Sequence, residues 1–352
     1  MKRQSIKTVT AVDVARLSGV SPASVQRVFN PAWENKVKPE TRDKVLRSAR
    51  ELNYAPNAFA RILASNKTNI IAIILGPITG YYYSQVLVEF IYQLQNAGKQ
   101  IMPFTTDENT SYEALIQSIS QYRVDAIIMT SVANSMSYEP VNCSIPIIYF
   151  ERVVDNAAVK CICSDTFNGG RMAADLLLDN GHKRIALISG NDLVVKDYER
   201  EYGFSGRLHE RGVSIWRTEL GRYSKYESGR AATRRIMNGH DYPDAFFCAD
   251  DVLALGCIDV LRREYNVRVP GDISVVGFRD IGAISFSAYA ITTVHSPVRE
   301  MVTATLEYIQ TMDHSGGDSL KTELFPMRLV IRDTVRITDP RYEKMRADDA
   351  VN

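Results

Sequence analysis

No stretch of this 352-residue chain is apolar over the ~20 residues that crossing a bilayer requires. Its opening residues, MKRQSIKTVT, lack the apolar centre of an export leader. Neither a membrane protein nor an exported one is expected. Phosphate-binding signatures are missing too: no G-x-G-x-x-G follows the first apolar run, no G-x-x-x-x-G-K-[ST] occurs, and GFSG is not a G-x-S-x-G nucleophile elbow. FNGGR (Phe167 to Arg171) is read as a tight strand-to-helix turn. The five histidines are scattered without a metal-binding pattern. Cys161 and Cys163 are expected on opposite faces of a strand, unable to share a zinc, while Cys143, Cys248 and Cys257 sit in or beside apolar runs as core thiols. An odd, buried cysteine set fits a reducing cytoplasm. No metal, no cofactor and no enzyme activity are expected.

What is present is an uneven distribution of charge. The net charge of +1 hides a head, residues 1–67, with 13 Lys+Arg against 5 Asp+Glu, and a remainder with 29 against 36. A basic module joined to an acidic body suits a domain that binds nucleic-acid phosphates next to one that does not.

The segment VTAVDVARLSGVSPASVQRVFN explains the head. Thr10 is placed to cap a short helix whose apolar side is read as Val12, Ala15 and Leu17. Gly19 ends that helix. Ser21 caps the next one and Pro22 occupies its first position, where no amide hydrogen is needed. Val25, Val28 and Phe29 form its buried stripe, which leaves Pro22, Ala23, Gln26 and Arg27 outward, with Asn30 closing the segment. Two short helices across a Gly-containing turn make a helix-turn-helix, whose second helix enters the major groove, where Arg pairs with guanine and Gln with adenine. PETRDKVLRSAREL then places Val45, Leu46, Ala49 and Leu52 on one face of a third helix. After Pro56, Asn57 begins a fourth helix too short to be stable alone.

Through DVARLSGVS, VQRVFN and ETRDKVLRSARELNYAPNAFAR the chain resembles the lactose-repressor (LacI/GalR) family. The resemblance implies a hinge helix near Asn57 to Ala64, including Ala60, that orders on operator DNA, and a leucine, matched by Leu63, wedged into the central minor groove. Two departures stand out: PAWENK lengthens the loop after the recognition helix, and Gln26 replaces the usual Ser.

The roughly 285 residues that follow exceed one ordinary domain. IIAIIL, QIMPF, DAIIM and PIIYF, then RIALIS, DAFFC and ISVVGF, are short apolar runs separated by helical stretches, the pattern of buried parallel strands. LFPMRLVIR returns late as one extra strand. The expected fold is α/β: a three-helix head with a hinge helix, then two doubly wound, Rossmann-like subdomains of periplasmic-binding-protein type. The divisions are 1–56 for the head, 57–68 for hinge helix and linker, and 69–336 for the body. The body's first subdomain is about 69–163 plus 297–324 and its second about 164–295 plus 325–336, with 337–352 a polar tail. GHKRIALISG, FFCADDVLALG, VRVPGDISVVGF and ITTVHSP extend the family resemblance over this half, implying three crossovers near Cys163, Ser296 and Phe325 and a small ligand between the subdomains.

Ligands of such folds lie at the carboxyl ends of strands. That rule selects Tyr82 and Tyr83, which either stack on a ring or pack in the core, and Asp250, where Asn is usual, with Asp251; the resemblance implies Glu151 and Arg152, which point into the cleft in the family, Asp165 after the first crossover, and Arg200, which matches the arginine of the family's R-x-x-G-F pattern in REYGF. GFRD, in place of the family's GFDD, adds Arg279 and Asp280. Arg279 either receives an acidic ligand or pairs with Asp250 or Glu151 and restores neutrality. The tail has no leucine heptads, so a dimer and not a tetramer is expected. The reading is a cytoplasmic, nucleoid-associated homodimeric repressor that binds double-stranded operator DNA under control of a small effector; an exported solute-binding protein and an enzyme on the same fold are the rivals.

Overall fold

In a computed structural model of the chain, the described residues are 9–29, 36–55, 68–76, 81–106, 110–130, 143–154, 159–190, 195–221, 225–312 and 321–349. Asn30, Asn57, Ala60 and Leu63, and with them the loop after the recognition helix and the expected hinge helix, lie outside these residues. The chain divides into two compact units, residues 1–68 and 69–352.

In the first unit, α1 (Ala11–Ser18) is stopped by Gly19 in the left-handed region (φ 69°), its N–H donating to the Ala15 carbonyl. Asp13 braces the entry by accepting from the Thr10 amide at 3.0 Å and the Thr10 hydroxyl at 2.7 Å. In α2 (Pro22–Val28) the Ser21 hydroxyl accepts from the Ser24 amide at 3.2 Å. With α3 (Pro39–Glu51), these helices enclose Val14, Ala15, Val25, Val28, Val45 and Ala49. The buried side of α1 differs from the sequence expectation: Val12 and Leu17 are exposed, and Ala11, Val14, Ala15 and Ser18 turn inward. Those four follow the i, i+3, i+4, i+7 stripe. Ser18 satisfies its hydroxyl on the Val14 carbonyl at 2.7 Å.

The second unit contains two parallel sheets. Strands β1 (Ile70–Leu75), β2 (Gln100–Thr105), β3 (Ala126–Thr130), β4 (Ile147–Phe150), β5 (Lys160–Ser164) and β11 (Thr322–Phe325) form one, in the order β11-β5-β4-β3-β1-β2. Helices α4 (Tyr81–Asn96), α5 (Tyr112–Ser120) and α10 (Val298–Thr311) belong with it. The other has the order β7-β6-β8-β9, from β6 (Ile185–Ser189), β7 (Arg217–Leu220), β8 (Ala245–Cys248) and β9 (Ser274–Val276). Its helices are α6 (Thr166–Asp179), α7 (Val195–Glu210), α8 (Tyr226–Ile236) and α9 (Asp251–Arg263). β7, an edge strand with a mostly exposed Arg-Thr-Glu-Leu sequence, has no apolar run by which to be recognised.

The chain passes between the two lobes three times: from β5 into α6, from β10 (Thr293–His295) into α10, and from β11 into β12 (Arg328–Val330), which pairs antiparallel with β10. LFPMRLVIR is therefore two strands in two lobes and not one, with Pro326, which has no amide to donate, between them. The tail is also more than a polar extension. It includes α11 (Pro340–Asp349), whose Tyr342 is buried against the second lobe and donates to Asp179 at 3.0 Å.

Two further expectations are corrected. Alternate residues of a strand share a face, and Cys161 and Cys163 both enter the cluster of Ala72, Ile74 and Tyr149, with Ile162 in the opposite core. FNGGR is not a turn but part of α6, where its second glycine allows α7 to approach. A Cβ on Gly170 would stand 2.0 Å from the Arg200 carbonyl oxygen, and one on Gly203 2.0 Å from that of Phe167. Gly170→Ala is expected to lower stability by about 1–3 kcal/mol in chemical denaturation, because backbone must move. Gly206→Ala, on the same α7 but with nothing within 4 Å of the added methyl, should be neutral or stabilising.

Candidate functional site

The head presents one polar helix face. Thr10, Ser21, Pro22, Ala23, Gln26 and Arg27 are all exposed, while Val25 and Val28 hold α2 to the other helices from behind. Because Pro22 and the Ser21 cap set the N-terminal turn, the outward side chains project from a rigid start.

In the body, a polar cluster forms where strand ends meet the crossovers. Glu151, immediately after β4, is buried at 5 % exposure and held in the left-handed region at φ 58°. Its Oε1 accepts from the Tyr82 phenol at 2.6 Å and the Ser164 hydroxyl at 2.7 Å. Tyr82, in the first turn of α4, is also 3.0 Å from the Ser296 hydroxyl; its single proton goes to Glu151, so Ser296 donates to it. Burial, and secondarily the Glu151 charge, push the Tyr82 phenol well above its ordinary pKa. Arg279 lies over the Tyr82 ring, 4.1 Å from its centre, so arginine and carboxylate flank one phenol. Tyr83 meets Tyr82 edge to face at 5.5 Å.

The remaining candidates have other placements. Asp280 accepts from Arg332 at 2.7 Å and lies 2.9 Å from His295 Nδ1; burial alone would raise its pKa, but these two partners hold it below the ordinary value. Asp250 caps α9 by accepting from the Val252 amide at 2.8 Å. Asp165 caps α6 through the Asn168 amide at 3.1 Å. Arg200, fully buried, donates to the Ala249 carbonyl and lies 4.6 Å from the centre of the Phe278 ring. Arg152 is half-buried and acts electrostatically on the Tyr112 phenol.

The structure thus gathers Tyr82, Glu151 and Arg279 at one point and Asp280 beside it, while Asp165, Arg200, Asp250 and Asp251 engage the framework. Sequence reasoning missed Ser164, His295, Ser296 and Arg332. Their only signal was position: polar residues at or next to the points where the chain changes lobes.

Asp251 has no exposure. It accepts from Thr293 at 2.7 Å and from the Ile281 amide at 2.9 Å. Burial outweighs these bonds and, with the nearby Asp250 and Asp280 charges, pushes it up to about 7.

A helix-turn-helix module followed by a two-lobed α/β body defines a class of DNA-binding transcription regulators. The family profile for bacterial regulatory proteins of the lacI family matches residues 10–57, and that for a periplasmic binding protein-like domain matches residues 174–335. The chain is similar to the HTH-type transcriptional repressor PurR of Histophilus somni (strain 2336), 30% identical over 335 residues, covering 93% of this chain and 99% of that protein. It is 27% identical to the probable HTH-type transcriptional repressor ExuR of Bacillus subtilis (strain 168), covering 93% and 98%. The lac repressor dimer bound to operator and the anti-inducer ONPF superposes with a TM-score of 0.78 at 25% identity, over 93% of this chain and 99% of that one. The chain belongs to the LacI family of bacterial regulatory proteins: it is a DNA-binding transcriptional repressor and not an enzyme.

Asp251 supplies a pH signature. Its folded pKa, about 7, exceeds the ordinary 3.8, so its contribution to stability is fully present below about pH 4 and is lost as pH rises to about 7. Asp251→Asn should remove that loss: melting temperatures of variant and wild type are expected to diverge in the variant's favour between pH 4 and 7 and to run parallel above.

Proposed function

We propose that this repressor binds an inverted-repeat operator as a homodimer and that a small hydroxylated acid, bound between the lobes of the body, controls it. The basic head and the outward Gln26 and Arg27 support base readout at each half-site. Dimerisation is supported by α4, where Tyr81, Val88 and Tyr92 are all more than half exposed at i, i+7 and i+11 spacing on one face. Among the described residues, no helix is long and apolar enough to cross a membrane.

The observation that carries the acidic-effector reading is Arg279. A guanidinium has five donors and no acceptor, so it serves carboxylates and phosphates better than neutral hydroxyls. Here it is set against an aromatic face beside the strand ends where ligands of such folds bind. Glu151, Asp280 and Asp251, which could otherwise accept from sugar hydroxyls, each already take two protein donors or partners. A neutral sugar is the second reading. It is favoured by the structural likeness, at 26% identity and a TM-score of 0.66, to a regulator named CelR in complex with cellobiose. Binding of effector and of operator are coupled reciprocally, whichever sign the coupling has.

Selection of bound duplexes from a random pool is expected to return an inverted repeat. Arg27→Ala should cost about 1–3 kcal/mol per half-site contact and relax preference at one position; uniform weakening across all sequences would assign Arg27 to phosphate instead. For the effector, calorimetric titration of sugar acids beside their neutral counterparts should show binding of an acid, and Arg279→Asp should abolish it. Tight binding of the acid by Arg279→Asp would end that reading.

A further inference from the structure

Tyr82 and Arg279 belong to different lobes. Tyr82 starts α4, which stands with the six-stranded sheet; Arg279 follows β9 of the four-stranded sheet. Their stacking at 4.1 Å is therefore a bond across the cleft. Neither partner is loosely held. The Tyr82 hydroxyl is fixed by Glu151 and Ser296, and Glu151 also takes the Ser164 hydroxyl. Ser164 ends β5 at the first crossover, and Ser296 follows β10 at the second.

On the other side, the Arg279 amide donates to the Val294 carbonyl at 2.8 Å, and Arg279 forms a bridge with His295, both residues of β10. Its neighbour Asp280 joins His295 to Arg332, just beyond β12 and the third crossover. All three connections between the lobes thus meet at the two ends of one cation–aromatic contact.

Backbone strain marks the same place. Glu151, Arg279 and Asp280, none of them glycine, have φ of 58°, 107° and 64°. Such conformations are costly and persist where the surroundings over-determine them, as at switch regions.

We infer that the Arg279–Tyr82 contact is a latch that holds the two lobes at the angle seen here, and that an effector works by competing for the same guanidinium. This rests on the cleft being the effector site. A ligand anion that engages the Arg279 N–H groups draws the guanidinium off the ring. Because the ring is tied to the first two crossovers and the arginine to the second and third, loss of the stacking loosens the lobe angle at every connection. Charge recognition and lobe movement then depend on one side chain, and no separate relay is needed between them.

The test needs no knowledge of the natural effector. In the full-length protein with Cys143→Ser, spin labels at Tyr122→Cys, exposed beyond α5 in the first lobe, and His240→Cys, exposed beyond α8 in the second, report the lobe separation. Arg279→Gln is expected to lengthen or broaden the separation beyond the wild-type width with no ligand added. Tyr82→Leu, which removes the ring together with the phenol's bonds to Glu151 and Ser296, should shift it in the same direction. Arg279 is only half-buried, so its variant tests the latch even if Tyr82→Leu fails to fold. A wild-type distance distribution in Arg279→Gln would overturn the latch. Titration with D-gluconate and D-glucuronate separates the two ideas: if neither binds the wild type while Arg279→Gln still opens the lobes, the latch stands and the acidic-effector reading falls.

Discussion

A buried carboxylate governs the centre of this protein. Removing the charge of Glu151 from water is costly unless donors replace the water, and the replacements come from Tyr82 and Ser164. That requirement orients the tyrosine ring, and the ring in turn gives Arg279 a surface to lie on. Had position 151 been apolar, Tyr82 would keep the Ser296 hydroxyl but lose the carboxylate that holds it, and the arginine's platform would lose one of its two anchors. The cleft chemistry therefore starts with the electrostatic need of a residue that need not touch a ligand.

The same economy applies to the surrounding charges. Asp251 tethers the segment carrying Arg279 and Asp280 by accepting from Ile281 and Thr293. A side chain on Gly277 would come within 2.2 Å of the Asp251 carboxylate, so this close approach needs glycine there. Arg200 reaches the carbonyl of Ala249, just before the aspartate pair that opens α9, and α7 brings it there only because Gly170 and Gly203 let α6 and α7 touch backbone to backbone. Much of what a sequence presents as ligand-binding charge is thus also structural, holding strand ends in register.

Departures from the family's usual pattern fall in different settings: Gln26 is exposed on the head, Arg279 is half-buried against Tyr82, and Asp250 caps α9. The recognition helix presents Pro22, Ala23, Gln26 and Arg27, and the body replaces an aspartate with Arg279. The shared architecture, seen in superposition on the lac repressor dimer, needs none of these identities. It depends on apolar strands, on helix caps and on glycines at helix crossings.

The amino-acid sequence alone determined the helix-turn-helix, because Gly19, Ser21 and Pro22 act locally, each on its own turn of backbone. It also determined the two series of parallel strands, since strands buried on both faces must be apolar along their whole length. It could not identify β7, whose edge position allows polar residues, nor the inward face of α1, where three-helix packing chose Val14 and Ala15 over Val12 and Leu17. Only the tertiary structure decided that Tyr82, Glu151, Ser164, Arg279 and Ser296 meet. They stand up to 214 positions apart, as Tyr82 and Ser296 do, and three lobe crossovers bring them together. A contact between such distant residues is set by the path of the chain through two sheets, which no local propensity encodes.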